Sequence, residues 1–158
     1  EGQKIQMPRG MDKPNTGWPL PNVWLGVSVE NQATADERIP LLLRTPAAVR
    51  FVSVEPMLDP VDLTHACGNT RDFLSGRDFE LLGTDNTPAL DWVILGGESG
   101  PKRRPCQSEW IHSVMEQCKS AGVPCFVKQV HVDGRLSKDP DEWPDDLRVR
   151  QFPGVTND

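Results

Sequence analysis

Four short runs of apolar, largely β-branched residues constrain this chain most: VWLGVSVE at 23–30, VRFVSVE at 49–55, DWVILGG at 91–97 and PCFVKQV at 124–130. Such runs suit strands buried on both faces, as in a parallel sheet held between layers. Between the first two lies TADERIPLLLR at 34–44, where Thr34 with Glu37 three residues on reads as a helix start before Leu41, Leu42 and Leu43. Pro40 has no N–H, so a kink or a split into two short turns is predicted there. Between the last two runs, residues 108–121 place Ile111, Val114, Met115 and Cys118 on one helical stripe, with Ser108 as the cap and Gly122 as a left-handed terminator. Strand, helix, strand, long connection, strand, helix, strand is the order of an α/β fold: a parallel sheet of about four strands with crossover helices.

The remainder is punctuation. Residues 1–21 mix Pro8, Gly10, Pro14, Gly17, Pro19 and Pro21 with polar residues and read as a proline/glycine-rich arm. The α/β domain spans 22–153, interrupted at about 62–90 by a stretch rich in Asp, Thr, Gly and Asn that is long enough for an insertion or mobile loop, and 154–158 form a tail. Trp143 and Phe152 are the expected docking anchors of the polar segment after Asp133. A chain of 158 residues is the size of one domain with one core. Its opening shows no secretory pattern and is consistent with a trimmed start, and no window reaches the ~18 apolar residues of a membrane span, so a soluble cytoplasmic setting is expected.

The segments VSVEN at 27–31 and VSVEP at 52–56 repeat one another at the ends of two strands. Side chains alternate along a strand, so Ser28 shares a face with Glu30, and Ser53 with Glu55. The third strand ends in Gly96, Gly97 and Glu98, and the fourth carries Lys128. Ligands of parallel α/β folds bind at the carboxyl ends of strands, where Glu30, Glu55, Glu98 and Lys128 converge in this reading. These carboxylates can hold hydroxyls or an amine of a ligand, with the backbone of Gly96 and Gly97 approaching it closely. Alternatively, the glutamates cap the next helices or pair with Lys128 and the KRR run at 102–104. That run, Lys102, Arg103 and Arg104, suits either a bound carboxylate or phosphate or a solvated loop.

Several classes are disfavoured. A net charge of −6 argues against broad nucleic-acid binding while leaving room for a local basic patch. Cys67, Cys106, Cys118 and Cys125 form no CxxC pair, and His65, His112 and His131 have no ligand spacing, so no metal site is expected. GGESG at 96–100 is a weak signal alone, and Cys118 reads as core rather than nucleophile.

PNVWLGVSVENQ, RIPLLLRTPAAVRFVSVEPML, LDWVILGGESGP, AGVPCFVKQV and WPDDLRVRQFP together resemble the C-terminal half of a phage-associated family of unknown function, whose members resemble radical S-adenosylmethionine enzymes. The resemblance spans about residues 19–153 and implies half of a partial TIM-type barrel. By the same resemblance Ser28 and Glu30 sit where ribose hydroxyls are held, and Glu55, Gly96, Gly97 and Glu98 line the rest of an S-adenosylmethionine cleft. The family's cysteine cluster motif, which would carry a [4Fe–4S] cluster, has no counterpart in this chain.

A half barrel exposes strand edges, so a cover is expected: a second copy, the arm, the 62–90 stretch or a separate chain. Two functions follow. The chain is either a part of a radical S-adenosylmethionine-like protein, not catalytically competent alone, or a non-enzymatic phage or mobile-element protein that binds and inhibits a host defence complex through its acidic surface. A hydrolase using Glu30 and Glu55 as paired carboxylates is a third, weaker reading, since nothing marks a sugar cleft.

Overall fold

The computed structural model describes residues 17–78 and 88–154. In chain order the elements are β1 (Trp24–Val29), α1 (Gln32–Arg44), β2 (Val49–Val54), a one-turn segment α2 (Ala66–Asn69), β3 (Arg71–Asp72), β4 (Arg77–Asp78), β5 (Trp92–Gly96), α3 (Ser108–Ala121), β6 (Cys125–Val132) and β7 (Arg135–Ser137), followed by two short 3-10 turns at 140–142 and 145–147. The main sheet runs β1-β2-β5-β6-β7. Its first four strands are parallel, as the sequence predicts, and β7 adds a fifth, antiparallel strand as a hairpin on β6.

Each parallel crossover steps the same way along the sheet, and crossovers of one hand put α1 and α3 on the same face. Burial agrees. Val29, Val52, Val54, Val93, Leu95, Cys125 and Val127 form one core cluster with Ala35, Ile39, Leu42 and Leu43 of α1 and Ile111, Val114 and Cys118 of α3. The alternate positions Trp24, Gly26 and Ser28 of β1 are exposed. Strand β1 is therefore covered on one face among the described residues, not on both as its apolar character suggests, whereas in β5 Trp92 and Gly96 of the second face are buried as well.

Helix α1 departs from its sequence reading at both points. Its cap is Asn31, whose side chain accepts from Thr34 N at 3.0 Å while Thr34 Oγ1 accepts from Asn31 N at 3.2 Å. Thr34 is thus the third residue of a capping box rather than the cap. Pro40 lies inside an unbroken helix. The residue it deprives of a partner is Asp36, whose carbonyl instead receives the Cys67 thiol at 3.8 Å, while its carboxylate accepts from Cys67 N at 3.0 Å. Leu42 and Leu43 are buried, but Leu41 faces outward. Helix α3 is capped at Gln107 without a side-chain hydrogen bond, because Ser108 Oγ turns to Glu109, and it ends at Gly122 with φ 71°.

The described parts of the 62–90 stretch belong to the core. Val61, Leu63, Ala66, Phe73, Leu74 and Leu90 are all buried. Two helix glutamines clamp the backbone that leads into it. Gln32 of α1 donates to Asp62 O at 3.1 Å and accepts from Asp62 N at 2.7 Å, and Gln117 of α3 accepts from Leu63 N at 2.7 Å and donates to Val61 O at 3.2 Å. The connection thereby takes the place of a crossover helix between β2 and β5. Residues 79–87 of that stretch, and residues 1–16 of the arm, lie outside the described residues.

The outer edge of β6 is covered by the chain itself. β7 pairs with Val130–Val132, and the tail returns so that Val127 N donates to Val149 O at 2.8 Å and Gln151 N to Cys125 O at 2.9 Å. Trp143 is buried and Arg150 stacks between it and Phe126, with centroid distances of 5.2 and 5.0 Å. Phe152 remains 43% exposed.

Replacing Gln32 or Gln117 with Ala strands a backbone N–H and C=O of the 61–63 segment. Each change is expected to cost about 1–3 kcal/mol in urea unfolding, with the double variant losing less than the sum because both glutamines hold the same 61–63 backbone.

Candidate functional site

The uncovered face of the sheet is built in three rows. Nearest the amino ends of the strands lie Gly26, Phe51 and Trp92 in register, and a Cβ on Gly26 would stand 2.4 Å from the Phe51 ring, so glycine is what lets that ring lie across β1. Trp92 is the centre of an aromatic floor, with ring centroids 5.8 Å from Trp24, 5.9 Å from Phe51, 6.0 Å from Phe126 and 5.3 Å from Phe152. Its Nε1 donates to Gln151 O at 2.9 Å.

Two residues further along, Ser28, Ser53 and Ile94 form the second row. Neither serine hydroxyl is engaged by another described residue.

The third row is the charged rim. Glu30 and Glu55 follow β1 and β2, and the turn after Glu55 is pinned by Leu58 N to Glu30 O at 2.9 Å and Met57 N to Gly96 O at 3.0 Å. Opposite them β6 carries a bulge: Leu95 pairs with Val127 but Gly96 pairs with Gln129, leaving Lys128 as the extra residue. A bulge aims two consecutive side chains toward one partner. Here Lys128 Nζ lies 2.9 Å from Glu55 Oε2 and Gln129 Nε2 lies 2.7 Å from Glu55 Oε1 and 2.6 Å from Gly97 O. Both acceptors require the amide nitrogen on that side. Gln129 Oε1 is consequently buried with no hydrogen-bond partner among the described residues.

The structure brings Glu55, Gly96, Gly97 and Lys128 together and surrounds each remaining carboxylate with its own cation. The room above the glycines is filled by the chain: a Cβ on Gly96 would meet Gln129 and Glu55 at 3.1 and 3.3 Å, and one on Gly97 would meet the His131 ring at 2.8 Å. Glu30 pairs with Arg38 at 3.1 Å, and Arg38 Nη1 also donates to Ser28 O at 2.7 Å. Glu98 takes both arms of Arg104, at 2.6 and 2.9 Å, and the Arg104 backbone N at 2.7 Å. These bonds hold the Glu98 carboxyl down at about 2, from an ordinary 4.5, with the Arg104 side chain the largest cause. A cleft of about 330 Å³ lies between Glu55, Pro56, Glu98 and Ser99. A larger hollow of about 670 Å³ lies between the end of α3 and the tail, with Glu116, Lys119, Asp146 and Gln151 in its lining.

Of the KRR run, Arg104 is committed to Glu98 and Arg103 donates to Gly100 O at 3.1 Å. His131 falls inside β6, and burial beside Arg103 lowers its pKa. Gln129 and Arg38 were not legible as site residues, because no sequence signal announces a bulge or an arginine reaching back from α1.

Two of the four thiols meet: Cys125 lies within hydrogen-bond reach of Cys118, and this contact together with burial pushes the Cys118 thiol up. Cys118 and Cys125 are on the helix-covered face, Cys67 is against α1 and Cys106 lies under the 101–105 loop. Among the described residues no group of three or more His, Cys, Asp or Glu side chains can hold a metal ion, and no helix is long and apolar enough to cross a membrane.

A family model described as a protein of unknown function (DUF5131) matches residues 3–144. The chain belongs to that family. No curated protein and no solved structure matches it. For this DUF5131 member the charged rim and the serine row are accordingly read from their own chemistry, which among the described residues is that of hydrogen-bonding and ion-pairing groups.

Glu98 is expected to titrate near pH 2 in the native chain. Its depressed folded value means that its contribution to the 98–104 loop is complete above the unfolded value of 4.5 and fades as pH falls toward 2. Carboxyl-detected NMR should place the midpoint there, and Arg104→Gln should return it toward 4.5.

Proposed function

We propose that this chain holds an adenosyl ligand, S-adenosylmethionine by resemblance, as the C-terminal part of a radical S-adenosylmethionine-type protein and is not catalytically competent by itself. One observation carries the reading: two uncommitted hydroxyls, Ser28 and Ser53, side by side on an uncovered sheet face, with aromatic rings on one side of them and carboxylates on the other. The rows are two residues, about 7 Å, apart. An adenine suits the aromatic floor, because every base offers a face for stacking. Ribose hydroxyls suit the serine row, and an amino group suits the rim as a hydrogen-bond donor to the Glu30 and Glu55 carboxylates, whose charges Arg38 and Lys128 balance.

Where a protein carries a [4Fe–4S] cluster, the cluster binds the methionine part of this cofactor and starts radical chemistry. The thiols of this chain do not fit such a cluster, so its own part in the proposal is to bind and orient the ligand. The singly wound sheet, with one face left open, supports a half of a partial barrel completed by another segment or chain.

A second reading rests on Trp24 and Phe152, each 43% exposed on the same face. Exposed aromatics of this kind anchor protein interfaces, as a chain that covers and blocks a host complex would need.

Calorimetric titration with S-adenosylhomocysteine should show saturable binding, weakened about tenfold or more by Ser28→Ala with Ser53→Ala, equivalent to about 1.4 kcal/mol. Absence of binding both to the chain alone and to the chain co-expressed with a cluster-bearing half overturns the adenosyl reading. Retention of a host protein that Trp24→Ser releases then favours the second.

A further inference from the structure

At the other end of the sheet from the serine row and its rim is a cleft of about 290 Å³ lined by four arginines, Arg44, Arg50, Arg71 and Arg77, with one carboxylate, Asp72, against apolar residues that include Leu43 and Phe73. Arg44 ends α1, Arg50 begins β2 beside Leu25 of β1, and Arg71 and Arg77 belong to the β3–β4 hairpin. In a chain of net charge −6, four of its 17 Lys and Arg residues meet in one concavity. We propose that this cleft binds the phosphate group of a small phosphate monoester.

The arginines are held for the purpose by their inner nitrogens. Arg44 Nε donates to Pro40 O at 3.2 Å and Arg50 Nε to Thr45 O at 3.1 Å. Anchoring through Nε fixes the plane of each guanidinium and leaves its terminal nitrogens, which make no hydrogen bond or ion pair with another described residue. Arg77 is exposed and likewise meets no described carboxylate. Arg71 supplies a further wall and has an interaction of its own.

The acidic neighbours are otherwise engaged. Asp72 lies opposite Arg77 across the hairpin, but its carboxylate accepts from Leu74 N, Ser75 N and the Ser75 hydroxyl, closing the turn. Asp91 accepts from the Arg50 backbone N at 2.7 Å rather than from its guanidinium. The C-terminal carbonyls of α1 repel an anion, and Arg44 offsets them from the last turn of that helix. Planar guanidinium forks match phosphate oxygens two at a time, which favours phosphate over a simple carboxylate.

The size and surroundings choose the class of ligand. The cleft is a single concavity at the lower end of small-molecule pocket volumes, roughly 300 Å³. Nucleic acid needs a basic stripe to follow its backbone, and the overall charge opposes one. Leu43 and Phe73 offer an apolar wall for the organic part of an ester.

NMR or calorimetric titration of the chain with ribose 5-phosphate, inorganic phosphate, ribose and a short single-stranded DNA tests the proposal. Ribose 5-phosphate should bind saturably, inorganic phosphate more weakly, and ribose not at all. Arg44→Gln and Arg77→Gln replace exposed side chains, so the melting temperature should hold while affinity falls about tenfold for each. Arg77→Lys should retain part of the binding. Failure of both phosphates to bind at millimolar concentration, or unchanged affinity in the Arg44→Gln, Arg77→Gln double variant, overturns it. Tighter binding of the DNA than of the monoester, falling steeply with salt, overturns the choice of a small ester. Because Arg44 and Arg77 lie at the other end of the sheet from the serine row, loss of affinity in these variants is independent of the adenosyl reading, whereas ribose binding unchanged by them reports on the serine row instead.

Discussion

The Glu55 carboxylate is the point at which three strands of the open face are joined. Lys128 and Gln129 of β6 both reach it, Gln129 continues to Gly97 O, and the turn that follows Glu55 is tied to β1 through Leu58 N and Glu30 O. At 15% side-chain exposure the carboxylate is sheltered enough for these partners to matter, whereas Lys128, half exposed, keeps its charge in contact with water. Removing either acceptor of Gln129 would leave a buried amide nitrogen short of a partner as well as the oxygen that already is. The rim is therefore a built arrangement whose geometry depends on the bulge, and the bulge depends on Gly96 being small enough for Gln129 to lie over it.

That arrangement matters because of which face it occupies. With α1, α3 and the 57–74 connection all on one side, the apolar residues of the strands divide by parity: one set makes the core and the other makes an aromatic floor. In a doubly wound sheet the second set would be covered by further helices. Here Phe152 from the tail packs on Trp92 and Phe126 and covers part of the floor, while the serine row stays open. A sheet wound in one sense thus leaves its second face accessible at the serine row among the described residues without any cavity having to be hollowed from the core.

The four parallel strands and both long helices were legible because each is a run of matched periodicity and length, and VSVE repeated at two strand ends marked Glu30 and Glu55 as equivalent positions. What was not legible depends on partners far along the chain. The apolar strands look buried on both faces because an aromatic floor and a core draw on the same residue types. Pro40 reads as a break because its cost is local, while the Cys67 contacts that serve Asp36 come from 31 residues away. The 62–90 stretch looks loose because its composition is polar, yet two glutamine side chains and a few buried apolar residues are enough to seat its described parts. β7 was missed since three residues at the end of a hairpin carry no period of their own, and with the returning tail it covers an edge for which a second copy, the arm, the 62–90 stretch or a separate chain was expected.

The distribution of charge follows from the same topology. Parallel strands bring all carboxyl ends to one rim, and there the acidic residues arrive directly after the strands, each beside a cation reached from another element: Arg38 from α1, Lys128 from β6, Arg104 from the following loop. The pairs neutralise the rim without emptying it of hydrogen-bonding capacity. At the amino ends the strands are entered from helix ends and a hairpin, and the basic residues there meet carboxylates already used to close turns. There Asp72 and Asp91 direct their hydrogen bonds to backbone N–H groups and the Ser75 hydroxyl, and no described carboxylate forms an ion pair with Arg44, Arg50 or Arg77.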